Sequence, residues 1–195
     1  APPDLRIAVT EPRSLLFDYL GQEVFCKLAP ADQSLLLRLA FLPRMLESGK
    51  EAWIANLASM GAFGVMPGQT SYIMSKHAVL AFSECLSLEM QVKKAPIQVS
   101  AILPGPVATR IFEDSKPGTD PMVVHHREVM RAMLVESGIS GLEAAQRILR
   151  QIAAGEFWVS THPEITAEFA RQRAAHLSGL TKPQLDPGTL AMLGA

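Results

Sequence analysis

Three things are scarce in this chain of 195 residues, and each shortage removes a class of function. No uninterrupted run of eighteen apolar residues occurs, which excludes an ordinary membrane-spanning helix. Neither sign of charge is in excess: 18 Lys plus Arg stand against 19 Asp plus Glu. No net field therefore draws the protein to nucleic acid or to an anionic membrane surface. Cysteine is limited to Cys26 and Cys85, each in an apolar stretch, without a CxxC spacing or a neighbouring histidine pair. Such residues predict buried free thiols in a reducing compartment, and no metal. The start, Ala1-Pro-Pro-Asp4, lacks the basic and then apolar pattern of a secretory signal, so a cytoplasmic protein is expected. The absent initiator Met predicts that residues were removed or not included.

What is present is apolar residue in quantity, 48% of the chain, enough for one sizeable core and one domain over residues 1–195. Short apolar runs alternate with helical patterns. Residues 5–10 read as a strand, Pro12 to Leu20 as a helix closed by Gly21, and Val24 to Leu28 as a second strand. Asp32 is a plausible cap for a helix over 33–48, bent at Pro43 and stopped at Gly49. Trp53–Leu57 reads as a strand, 61–68 as a glycine-punctuated loop, 71–92 as a helix and Ile97–Leu103 as a strand. A polar loop over 109–121 is expected to act as a lid. Helices over 123–135 and 142–154, the second closed by Gly155, precede a strand at 157–160, then a helix and a tail. Apolar strands alternating with helices predict a doubly wound α/β fold with a parallel sheet.

In such a sheet ligands bind beyond the carboxyl ends of the strands. Ser59 stands at one of these ends. Tyr72 and Lys76, four apart on the next helix, share a face one turn from each other. A tyrosine ordinarily keeps its proton until about pH 10, so one that must exchange it needs a cation nearby, and Lys76 is placed to be that cation. Ser59 adds a hydroxyl that can orient a carbonyl or alcohol. The trio suits proton transfer at an oxygen while a nicotinamide moves the hydride.

These residues lie in a recurring pattern: Asn56-Leu-Ala-Ser59, Tyr72-Ile-Met-Ser-Lys76 and Pro104-Gly105 through Thr109, with Ala40–Leu46 before them and Phe157–Pro163 after. The pattern resembles the short-chain dehydrogenase/reductase family from about Leu39 to Pro163. By that resemblance the fold is Rossmann-like, with 51–163 as the catalytic core and 164–195 as a helix and tail. Ser59, Tyr72 and Lys76 are implied to be catalytic: Ser59 positions the substrate, Tyr72 exchanges the proton, and Lys76 favours its ionisation and holds the nicotinamide ribose. Asn56, Tyr72, Lys76, Pro104, Gly105, Val107 and Thr109 are implied to meet the cofactor, NAD or NADP with NADP slightly favoured. The reaction implied is interconversion of an alcohol and a ketone or aldehyde.

Residues 1–50 depart from the family. Its glycine-rich phosphate turn is missing, the first strand leading instead into Thr10-Glu-Pro-Arg-Ser14, and Pro30 falls near the family's helix asparagine. At roughly 30 residues per βαβ unit, the positions before Ser59 hold about two strand and helix pairs where the family has four strands. A sheet so abbreviated would expose an apolar edge, so a homodimer or homotetramer is expected. Val79 is read as core, while Phe82 and Leu86 serve the core or a partner. The alternatives are a relative that has lost nucleotide binding and persists as an interaction subunit, or a fragment of a longer enzyme. His125 and His126 are read as exposed or lid histidines, His77 as helix surface, and Lys27 as surface. Met60, Phe63 and Met66 are read as loop packing that could line an apolar pocket.

Overall fold

A computed structural model of the chain describes residues 41–112 and 119–194. The strands expected at 5–10 and 24–28, the helix from Pro12, the Asp32 cap, Pro30, Cys26 and Lys27 lie outside the described residues, as do residues 113–118 of the expected lid.

The described chain enters on a helix at 41–48 (α1), ended at Gly49, whose φ of 60° is the left-handed conformation that glycine adopts at low cost. Strand β1 (Ala52–Leu57), a 3-10 turn (Met60–Ala62), helix α2 (Thr70–Val92) and strand β2 (Ile97–Leu103) follow. Beyond them come β3 (Val107–Ala108), α3 (Pro121–Ser137), β4 (Ile139–Ser140), α4 (Gly141–Ala153), β5 (Trp158–Ser160), α5 (Pro163–Gly179) and α6 (Pro187–Leu193).

The main sheet runs β1-β2-β5, all parallel, with Ala52 opposite Ile97, Leu57 opposite Ile102, and Ala101 opposite Trp158. Parallel neighbours cannot be joined by a tight turn, which is why a helix stands between each pair. Central β2 is apolar almost throughout, as a strand covered on both faces must be. Its side chains Ile97, Val99, Ala101 and Leu103 meet Val79, Leu80, Leu86 and Met90 of α2, with Leu42 of α1 closing the far end. Full burial of a side chain such as Leu86 stabilises by about 2–3 kcal/mol. On the opposite face the turn that ends α4 meets Gln98 and Ser100: Ser100 Oγ donates to Glu156 O at 2.7 Å, and Gly155 packs on the Gln98 amide. Val79 and Leu86 are thus core, and Phe82 is partly buried against the cluster that holds Leu86.

The two edges of this sheet differ. At β5 the Gln151 side chain accepts from Ser160 N at 2.9 Å and donates to Ser160 O at 2.8 Å, standing in for a further strand. At β1 no described strand pairs, and Trp53 and Leu57 are 47% and 59% exposed.

The structure corrects several expectations. Helix α3 begins at Pro121, two residues before the expected start, because the Asp120 carboxylate caps it by accepting from Met122 N at 2.8 Å. A two-stranded parallel sheet, β3-β4, was not expected. The presumed tail contains α6, capped by Asp186 and anchored by buried Leu193. Cys85 is exposed rather than buried. His126 is buried rather than exposed, 2.8 Å from Gln69 Nε2 across the start of α2. His77 is half-buried and bonded to Ile73 O. Among the described residues no group of acidic, histidine or cysteine side chains is placed to hold a metal, and no helix is long and apolar enough to cross a membrane.

Candidate active site

The carboxyl end of β1 delivers Ser59 as the N-cap of the 3-10 turn, where its Oγ accepts from Gly61 N at 3.0 Å. The Tyr72 hydroxyl, from the first turn of α2, donates to the same oxygen at 2.9 Å. A serine oxygen has two lone pairs and one proton. With both lone pairs taken, the Ser59 proton is left to be donated to a third oxygen, the arrangement needed to hold a substrate carbonyl.

Gly61 makes this possible in a second way. A Cβ there would stand 3.1 Å from Tyr72 Cε1 and 3.4 Å from Ser59 Oγ, so a larger residue would push on the tyrosine ring that glycine leaves in place. Sequence reading missed Gly61; its position two residues past the strand-end serine was the available signal.

One turn along α2, Lys76 Nζ lies 5.8 Å from the centroid of the Tyr72 ring and donates to Leu57 O at 3.2 Å. Burial pushes the Lys76 pKa below its ordinary value. An ammonium has three donors, and the Leu57 carbonyl uses one. The two others can serve hydroxyl groups such as those of a ribose.

The structure brings Ser59, Tyr72 and Lys76 together and treats the remaining candidates unequally. Asn56 donates from Nδ2 to Ser83 Oγ at 3.0 Å, and Ser83, fully buried, donates to Val79 O, so one N–H of the asparagine ties β1 to α2. Pro104 is adjacent to the trio, its carbonyl accepting from Met60 N at 3.2 Å. Gly105 N donates to Thr161 Oγ1 at 2.8 Å. Val107 is drawn into the β3-β4 pair opposite Ile139, and Thr109 is exposed beyond it. Met60 packs beside Gly105, and Phe63 lies 6.0 Å from the Trp158 ring, so these two loop residues are packed against the strand ends. Thr161 and His162, at the end of β5, adjoin the site and were not expected there.

Comparison with known proteins identifies the fold. The family model for short chain dehydrogenase matches residues 34–120. The chain is 32% identical over 133 residues to 1-deoxy-11-beta-hydroxypentalenate dehydrogenase of Streptomyces avermitilis, an alignment covering 68% of this chain and 44% of that protein. A short-chain dehydrogenase/reductase from Burkholderia phymatum, solved in complex with NAD, superposes with a TM-score of 0.68 at 22% identity over 76% of this chain and 56% of that one. A Burkholderia cenocepacia short-chain dehydrogenase in complex with NADP gives 0.56 at 22% identity over 86% and 58%. The chain belongs to the short-chain dehydrogenase family and has its Rossmann-like fold. It spans less than half the length of the Streptomyces relative.

Proposed function

We propose that this chain carries the catalytic site of an NAD(P)-dependent oxidoreductase that interconverts an alcohol and a ketone or aldehyde. The single observation that carries the reading is the Tyr72 hydroxyl bonded to Ser59 Oγ with the Lys76 ammonium beside it. The donors present suit the ribose and nicotinamide end of the cofactor: two spare N–H groups on half-buried Lys76 and the Tyr72 hydroxyl, on the helix face at the carboxyl end of β1. When bound, the nicotinamide supplies or accepts the hydride.

In the reducing direction Ser59 donates to the substrate carbonyl oxygen and aligns it. Tyr72 then gives its proton to that oxygen as the carbonyl carbon receives the hydride, and the Lys76 charge stabilises the resulting phenolate. In the oxidising direction the phenolate takes the alcohol proton. The apolar Met60, which directly follows Ser59, favours a substrate with hydrocarbon beside its oxygen, and the cytoplasm supplies nicotinamide in both redox forms.

Titration of the purified chain with NADPH and NADH tests this. Saturable micromolar binding is expected, with a rise in melting temperature; at a hundred times Kd the linkage is worth about 2.7 kcal/mol. No binding up to millimolar nucleotide would leave the trio without a hydride source and favour an interaction subunit.

A homo-oligomer belongs to the same reading. Met74, Ala78, Ala81, Cys85, Leu88 and Val92 all lie exposed along α2 at helical spacing, an apolar stripe that the described residues leave uncovered. The small residues at its middle allow a second copy of the helix to approach closely. Leu88→Arg, which places a charge in that contact, is expected to convert the assembly to monomer in sedimentation velocity, whereas an unchanged sedimentation coefficient would put the interface elsewhere.

A further inference from the structure

A chain of hydrogen bonds ties the ends of β2 and β5 together next to the trio, and nothing in the proton transfer described above uses it. Gly105 N donates to Thr161 Oγ1 at 2.8 Å, and that oxygen lies 2.9 Å from His162 Nδ1. Thr161 is 0% exposed, so its hydroxyl proton has no water to turn to. The acceptor within reach is His162 Nδ1, which must therefore present a lone pair, leaving the ring proton on Nε2. The imidazole lies flush against the strand end: a Cβ on Gly105 would meet Nδ1 at 2.5 Å and Met60 Sδ at 3.2 Å, and Met60 directly follows Ser59.

The backbone beneath the ring is pinned. His162 N donates to Ser160 Oγ at 3.0 Å, His162 O accepts from Thr166 N at 3.0 Å, and Arg147 donates to Thr161 O at 2.6 Å. The imidazole therefore starts from a fixed main-chain position beside Gly105.

We infer that His162 is a positioning residue: as the neutral imidazole accepting at Nδ1 it holds the Thr161 hydroxyl toward Gly105 and thereby seats Pro104–Gly105 beside Met60 and Ser59, and as the imidazolium it holds it less firmly. Protonation turns Nδ1 into a donor: the Thr161 oxygen can take it on its second lone pair, but the buried Thr161 proton then has no acceptor, and relieving that cost loosens the contact that Gly105 leans on. The charged groups that face the ring come from α4, Arg147 disfavouring the imidazolium and Glu143 favouring it; Glu164 stands in the first turn of α5. Burial is the larger influence and, with Arg147, keeps the His162 pKa below its ordinary value of 6.5. The unfolded chain thus binds this proton more readily than the folded one. The contribution to stability is complete above about pH 6.5 and is lost as pH falls through the lower folded value.

The effect on turnover rests on the oxidoreductase reading, but the seating of Gly105 does not, and the test separates them. Nitrogen-detected NMR of the labelled protein is expected to show His162 as the Nε2–H tautomer, and the Gly105 amide to lose hydrogen-exchange protection as His162 is protonated. In His162→Ala that amide should exchange about tenfold faster, the effect of losing one buried hydrogen-bond partner, while His162→Asn, whose Oδ1 can replace Nδ1 as acceptor, should restore protection. Turnover with NADPH and a carbonyl substrate should fall in the alanine variant and recover in the asparagine variant, with KM little changed. An Nδ1–H tautomer, or Gly105 protection indifferent to His162 protonation and to the alanine variant, would overturn the inference. Should His162→Ala not fold, the tautomer and the wild-type pH series decide alone. Protection behaving as stated in a protein without dehydrogenase activity would defeat the oxidoreductase reading and leave the seating intact.

Discussion

Tyr72→Phe is expected to lower turnover about a thousandfold, the loss that follows when a positioned acid or base is removed, while weakening nucleotide binding only about as much as one hydrogen bond and leaving the melting temperature nearly unchanged. The substitution deletes one oxygen. Tyr72 is 40% exposed, so the ring keeps its place without a buried polar group being orphaned; Ser59 Oγ loses one of two donors and keeps the other, Gly61 N. Steady-state kinetics beside thermal unfolding separates the chemical role from a structural one. Turnover within threefold of the native protein would remove Tyr72 from the reaction and the oxidoreductase reading with it.

The second large effect is expected from a residue with no functional group. Gly61→Val adds a branched side chain where even a Cβ would stand 3.1 Å from Tyr72 Cε1. The turn is backbone-bonded on both sides, Ala62 N to Ser59 O at 3.0 Å and Gly64 N to Gly61 O at 3.2 Å, so the more yielding partner is the half-exposed tyrosine ring. A displacement of about 1 Å in a reacting group costs on the order of a hundredfold in rate. Turnover should fall by that order with KM for the nucleotide little altered, and Gly61→Ala should give an intermediate loss. Equal activity in all three would mean that the ring has room the geometry does not show.

Much of this site was legible in the sequence because its chemistry is written at fixed spacings on regular elements. Tyr72 and Lys76 share a helix face by their spacing alone, and Ser59 follows a strand whose apolar run ends just before it. What escaped depended on neighbours distant in sequence. Strands β3 and β4 are two residues each and carry no period to read. Helix α6 is seven residues long and opens with Pro187-Gly188, a composition that reads as a turn until Leu193 is buried by contact with the rest of the fold. His126 is buried and meets Gln69, fifty-seven residues earlier. Cys85 misled for a different reason: α2 is apolar on two faces, one against the sheet and one open, and hydrophobicity alone does not say which is which. Asn56 carries the family pattern, yet its partner Ser83 could be found only once β1 and α2 were packed together.

Gln151 gives the sheet a direction of growth. By accepting from and donating to Ser160, its amide consumes the outward-facing main-chain groups at the end of β5, and a strand of three residues has too little else to offer a newcomer. Any segment that lengthens this sheet, whether from this chain or from another, must add at β1, beside Trp53 and Leu57. Truncations and fusions that disturb that side should therefore decide solubility, while changes beyond β5 should be tolerated.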